Sequence, residues 1–417
     1  MAPKLTVRGS RYLIQWDNGI EAHVSRIREN PERIKCEIAL TLNGKLITRS
    51  SPVVTSESGK DSLLRKCQRR RPKEDWGIDH EYWIEEMCAL IIDTYREGEP
   101  PVLLNDIPDD DSMTFRVEGI LPEKQPTLLF ADGGSGKSMV ACLLAVSVDQ
   151  GIIDTDIGIT AEPGKALYLD WETSAEEISK RVKSIMRGLN LQGNTGIVYR
   201  RCSQPLISEV DRILDLCDQH DIQLIVCDSL GLATGGALEE ADATLQFFNA
   251  LRMINRTSLI ISHVNKAKQN FGSVYANNSA RMVWAAEGSE NEDKSKNIAM
   301  FHKKANNVAR QAPIGWHIKF NEDERSVSFV SRDIFDTDAA KELSVPALMM
   351  NIMHEKNNWM SKDEILEMVA AYKDVKPDII RANLDVALSR AKKQNKVEVD
   401  SLGMYRIPPV DNVSMEI

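Results

Sequence analysis

The residues best suited to chemistry stand at Ala131-Asp132-Gly133-Gly134-Ser135-Gly136-Lys137-Ser138. Three glycines in eight positions allow a turn that brings successive backbone N–H groups onto one anion, and a helix starting near Lys137 adds its partial positive charge. In that frame Gly133, Gly134, Ser135, Gly136, Lys137, Ser138 and Met139 form the nucleotide cradle. The Lys137 side chain reaches the β- and γ-phosphates and the Ser138 hydroxyl ligates Mg²⁺. The expected cofactors are ATP and Mg²⁺. Such motifs open on glycine and this one opens on Ala131, but Gly136, Lys137 and Ser138 are intact.

Three further stretches carry polar groups at the ends of apolar runs. In Leu224–Ser229 an apolar strand ends in Asp228, which is placed to hold Mg²⁺ through water. Ala166–Glu172 ends in a carboxylate that can orient an attacking water or, equally, make a surface ion pair. Leu259–Lys266 carries His263 at the strand end, as a γ-phosphate sensor or as a structural histidine.

Stepping these groups into one site needs a parallel sheet, because ligands of open α/β sheets bind beyond the carboxyl ends of the strands. The pattern supplies one. Thr127–Ala131, Ala166–Asp170, Gly196–Tyr199, Gln223–Cys227 and Leu259–Ser262 are short apolar runs with helical stretches between the first four, and Leu238–Ile254 is a helix before the fifth. Asn297–His302, Trp316–Phe320 and Val327–Val330 read as trailing antiparallel strands.

The order of these motifs resembles that of the RecA-fold ATPases, and specifically the RepA-like hexameric replicative helicases. The resemblance is carried by Gly133–Ser138, the run ending in Glu172, Asp228-Ser229, Ser262–Lys266, Gly272-Ser273 with Asn278–Arg281, and Lys303–Asn307. It covers about half the chain. It implies a RecA-like P-loop core with a mostly parallel central sheet. It also implies catalytic roles for Lys137, for Glu172 as base and for His263 beside the γ-phosphate. Family members assemble as rings, usually hexamers, in which a basic residue completes the neighbour's site. Lys304 matches that residue best and Arg310 second. The segments after the fourth and fifth apolar runs, Gly231–Asp242 and Lys266–Phe271, correspond to the family's central loops. The acidic first repels phosphate, whereas Lys266, Lys268, Asn270 and Phe271 suit single-stranded DNA.

Two flanking regions complete the expected α/β organisation. Residues 1–105 read as a small β-rich domain, with strands at Tyr12–Trp16, Ile34–Leu42 and Lys45–Thr48, a turn at Asn43-Gly44, and a helix over His80–Tyr95. The Pro- and Asp-rich Pro108–Ser112 lies at the start of the ATPase core, residues 106–335. Residues 336–417 read as a winged helix with a frayed tail. Its helices lie at Val345–His354, after the Ser361/Glu364 capping box, and from Pro377 to about Gln394, with a hairpin at Val397–Val399 and Tyr405–Ile407. Arg381, Arg390, Lys392 and Lys393 could face DNA, and a protein partner is the competing use. Arg65–Lys73 holds six basic side chains near Trp76, Tyr82 and Trp83, a second candidate for phosphates and stacked bases.

Composition narrows the rest. With 42% hydrophobic and 27% charged residues the chain is neither disordered nor fibrous. A net charge of −10 means that any nucleic-acid site is local. The longest apolar run, Met139–Val148, is half the ~20 residues that span a bilayer, and MAPKLTVRGS has no signal core, so the expected location is the cytoplasm with no membrane partner. Seven scattered cysteines without CxxC spacing indicate neither zinc nor disulfides. The expected function is an ATP-hydrolysing, DNA-stimulated ring motor of a mobile or phage-like element. A recombination mediator or helicase loader, and an ATP-gated regulator acting through the winged helix, are the alternatives.

Overall fold

The computed structural model describes residues 3–69, 80–98, 101–107, 114–236, 240–264, 274–306, 308–309, 311–337, 340–341 and 343–408. Its centre is a nine-stranded sheet in the order Val198–Arg201, Lys165–Asp170, Ile222–Asp228, Thr257–His263, Pro126–Ala131, Met282–Glu290, Lys296–Ala305, Ile314–Asn321, Ser326–Ser331. The first six run parallel and the last three extend the sheet antiparallel. The expected antiparallel trailing set is therefore present. Its neighbour Met282–Glu290, which no apolar run announces beyond Ala286, joins the P-loop strand in parallel. The outermost strand begins at Val198 rather than Gly196.

The parallel strands read as continuous apolar runs because both sheet faces are covered. Leu129, Tyr168, Val226 and Ile261 pack to one side with the helix Lys137–Gln150. Leu128, Leu167, Leu169, Ile225 and Ile260 pack to the other with the helices Leu206–His220 and Ala241–Ile254. Lys137–Gln150 is apolar on nearly every side, since it is sandwiched between the sheet and the helix Ala175–Gly188.

The N-terminal region is a five-stranded antiparallel sheet in chain order: Lys4–Arg8, Arg11–Gln15, Ile20–Asn30, Arg33–Leu42 and Lys45–Ser50. Ile34, Cys36, Ile38 and Leu40 alternate inward along one strand, as a half-buried strand requires. Asn43 and Gly44 both adopt positive φ, the geometry that joins two strands tightly. The helices Glu57–Arg69 and His80–Glu97 cover the inner face. The sheet docks on the helix Leu206–His220 through Asp211, which accepts from Arg11 Nε at 3.2 Å, Ser10 Oγ at 3.1 Å and the Arg26 backbone N–H at 3.1 Å.

Three helices follow the central sheet, Val345–Lys356, Lys362–Lys373 and Pro377–Lys393, and a two-stranded hairpin, Glu398–Val399 with Tyr405–Arg406, closes the described chain. Ser361 and Glu364 form the expected reciprocal cap. Ala299 and Phe301 of the central sheet belong to the same apolar core as these helices. All seven cysteines are buried, and burial pushes the thiols of Cys36, Cys88, Cys142 and Cys202 up to about 12. Among the described residues no helix is long and apolar enough to cross a membrane.

Candidate functional site

The site is built where the P-loop strand hands over to its helix. Gly136, at the helix N-cap, has φ of 96°, a conformation open to glycine and strained for other residues. No side chain caps the first turn. A Cβ on Gly133 or Gly134 would meet no atom within 4 Å, so the backbone there faces open space. Uncapped N–H groups facing open space are the physical requirement for holding an anion. Lys137 Nζ donates to the carbonyls of Ala131 at 2.8 Å and Asp132 at 2.6 Å. Burial pushes this ammonium below the usual lysine range, against the pull of the Asp228, Glu172 and Asp132 carboxylates.

Asp228 ends the strand Ile222–Asp228 and is 3% exposed. It takes hydrogen bonds from the Tyr168 hydroxyl, at 2.7 Å, and from the Ser138 side chain. Burial raises its carboxyl above the ordinary aspartate range; those two bonds oppose the rise, while the Glu172 and Asp170 carboxylates add to it. Ser138 and Asp228 are thus a paired hydroxyl and carboxylate beside the cradle, an all-oxygen donor set that fits Mg²⁺.

Glu172 is set by the residue at the end of its strand. The Asp170 carboxylate accepts the backbone N–H groups of Glu172 and Thr173, each at 2.9 Å, the Thr173 hydroxyl at 2.7 Å and the Tyr199 hydroxyl at 3.0 Å. Burial alone would raise the Asp170 carboxyl, but these donors hold it below its ordinary value. Glu172 then accepts a hydrogen bond from Ser229 Oγ, and His263 Nε2 lies 3.6 Å from the same carboxylate oxygen, Oε1. Lys137, Ser138, Glu172, Asp228 and His263 therefore meet at one edge of the sheet. Their strands lie side by side, with Thr257–His263 between the P-loop strand and Ile222–Asp228.

Other expectations fall differently. Lys304 spends its three donors inside its own chain, on the carbonyls of Asn277 at 2.7 Å, Asn278 at 2.9 Å and Ala280 at 2.7 Å. A role at a neighbour's phosphate would require Lys304 to leave these carbonyls. Arg310 and the whole of Lys266, Lys268, Asn270 and Phe271 lie outside the described residues. Trp83 is 2% exposed and packs edge-on to Trp16, so it is core and not a stacking platform for bases. Arg65, Lys66 and Arg69 lie on the helix Glu57–Arg69, where Lys66 donates to Ser50 Oγ; the rest of the basic run, with Trp76, lies outside the described residues.

Sequence reasoning missed the parts played by Tyr168, Asp170, Tyr199 and Ser229 and the strand Met282–Glu290, which pairs with the expected strand at Lys296–Ala305. A Cβ on Gly288 would come within 2.4 Å of Ser135 O, so only glycine lets this strand lie against the P-loop. Lys296 Nζ reaches Gly134 O at 3.3 Å. The single available signal was polar atoms inside apolar runs: the hydroxyl of Tyr168 and the carboxylate of Asp170.

A family model described as an AAA domain matches residues 107–269. That segment holds the P-loop, Glu172, Asp228 and His263. No curated protein matches the chain. Among solved structures, a KaiC-like protein from the hyperthermophilic archaeon Pyrococcus horikoshii is 14% identical, covers 54% of this chain and 95% of its own, and gives a TM-score of 0.37.

Proposed function

We propose that the protein is a DNA-stimulated ATPase motor, assembled as a ring of the RepA-like helicase type with a RecA-like core and acting on single-stranded DNA. One observation carries this reading. Glu172, Ser229 and His263 form one contact cluster beside the P-loop, and the lysine-bearing segment proposed to hold DNA begins three residues after His263. A strand-end residue that reads the γ-phosphate is thereby linked through a few peptide units to a segment that can pull on a polyanion.

In this mechanism the uncapped N–H groups of Gly134–Lys137 and the Lys137 ammonium bind the triphosphate, releasing Lys137 from the carbonyls that hold it. Ser138 and Asp228 would hold Mg²⁺, which supplies charge neutralisation on the phosphate oxygens. Glu172, freed from Ser229, orients a water and accepts its proton as the water oxygen bonds to the γ-phosphorus and the bond to the β–γ bridging oxygen breaks. His263, beside the same carboxylate oxygen, senses whether Glu172 is engaged. The C-terminal helices, read as a winged helix, contact DNA or a protein partner.

Steady-state ATP hydrolysis at fixed moderate salt, with and without single-stranded DNA, tests the reading, with Lys137→Ala as control. Strong stimulation is expected, followed by strand displacement. A rate indifferent to DNA overturns the motor and favours the ATP-gated regulator. The solvent-exposed Ile379, Val386 and Leu402 of the C-terminal helices and hairpin would then be the first place to seek its protein partner.

A further inference from the structure

We infer that the C-terminal helical region supplies one wall of the nucleotide cleft, through Lys341, and that this wall meets the sugar–base end of the bound nucleotide. The inference rests on the P-loop being the triphosphate site. Strand order gives the direction. Glu172, Asp228, Ser229 and His263 follow strands on one flank of Pro126–Ala131, and Met282–Glu290 lies on the other. A triphosphate whose γ end faces the carboxylate cluster must therefore extend its other end over Met282–Glu290.

A cleft of about 440 Å³ opens there, lined mainly by the P-loop residues Asp132–Ser135, by Ala285–Glu290 and by Lys296 and Lys341, with Phe130 and Val264 at its other edge. It borders a smaller cavity of about 70 Å³, again lined by Glu287, Gly288 and Ser289 on one side and by Lys341 on the other. The chemistry of the lining matches a nucleoside. Carboxylates and the Ser289 hydroxyl accept from ribose hydroxyls or an exocyclic amine, and an ammonium donates to ring nitrogens or a base carbonyl.

Lys341 belongs to the C-terminal region by its backbone and its neighbours. Lys373 Nζ donates to Lys341 O at 2.7 Å. Ala340 and Leu343, on either side, are buried in the core formed with Leu348, Ile352 and Leu384. The same core takes in Ala299 and Phe301 from the strand that carries Lys296. The P-loop, the hairpin pressed on it by Gly288 and the C-terminal helices thus form one continuous packed path that ends at the cleft. A nucleotide touching Lys341 stabilises the seated position of these helices, and by reciprocity their seating strengthens nucleotide binding.

Calorimetric titration of the full chain with Mg²⁺–ADP and with Mg²⁺–tripolyphosphate, in Lys341→Ala, Lys341→Arg and Lys137→Ala, tests this. Lys341 is exposed, so its replacement leaves the fold intact. Lys341→Ala is expected to weaken ADP about three- to tenfold, the worth of one solvent-exposed hydrogen bond. Lys341→Arg stays within about twofold and tripolyphosphate is unaffected. ADP affinity unchanged in Lys341→Ala, or equal losses for ADP and tripolyphosphate, overturns the inference while leaving the P-loop site standing. Lys137→Ala that binds both probes as tightly as the unaltered chain would instead overturn the P-loop reading beneath it.

Discussion

Lys137 and Lys304 both end on backbone carbonyls, and burial lowers the proton affinity of both, yet their surroundings differ. Around Lys137 stand three carboxylates, Asp228, Glu172 and Asp132, and a row of uncapped N–H groups. Around Lys304 the other charge is the cation of Arg281, and the three carbonyls it binds belong to the end of the short helix Val274–Ser279 and the residue after it. The first lysine is held by two carbonyls next to uncapped N–H groups that an anion would satisfy. The second is a clasp that closes a chain reversal. A lysine at the right place in a motif can therefore be machinery or scaffold, and only its partners decide.

Three substitutions sharpen or break that contrast. Lys137→Ala should lower ATP hydrolysis by at least ~10²-fold, the usual cost of losing a preorganised charge at a reacting phosphate, with a loss of stability no larger than the ~1–2 kcal/mol of carbonyls left without a donor. A melting temperature that collapses along with activity would make Lys137 scaffold too. Tyr168→Phe attacks the acidic half of the same region. Its hydroxyl donates to ionised Asp228, so its loss raises that carboxyl further and removes the metal-binding form at low pH. Hydrolysis near neutral pH should fall about fivefold, as expected for ~1 kcal/mol, and the acid limb of the pH–rate profile should move to higher pH. An acid limb that does not move removes Tyr168 from the metal site. The smallest effect on activity belongs to Lys304→Met, which should cost ~1–2 kcal/mol in denaturant unfolding by leaving carbonyls without their donor. Its hydrolysis per folded molecule should stay within about twofold. A large loss of turnover at full stability would restore the expectation that Lys304 serves a neighbouring site.

The parts legible in the sequence were those whose signal is local. A Gly-rich turn between an apolar run and a helix reads directly as a phosphate cradle, and runs such as Leu224–Asp228 read as covered strands because both faces are dry. Asn43-Gly44 announced its hairpin by the φ it permits. Long-range relations left no such trace. Gly288 is an ordinary glycine until its strand is laid against Ser135, 153 residues earlier in the numbering. Lys304 sits in a motif that resembles a trans-acting element, and only the return of the chain at Asn277–Ala280 shows what it binds. Lys4–Arg8 and Ile20–Asn30 carry too many charges to read as strands, because each earns its place by pairing with neighbours rather than by burial on both faces.

The burial of all seven thiols also makes the chain a blank background for reporter chemistry. A maleimide dye reacts with thiolate that solvent can reach, and these sulfurs are both covered and held protonated at neutral pH. A single cysteine placed at exposed Leu402 on the hairpin tip, with a second at exposed Lys303 on the central sheet, would accept a donor–acceptor pair without removing any native residue of the core. Energy transfer between the two would then follow, in the otherwise unaltered protein, how the last helices move as nucleotide is added.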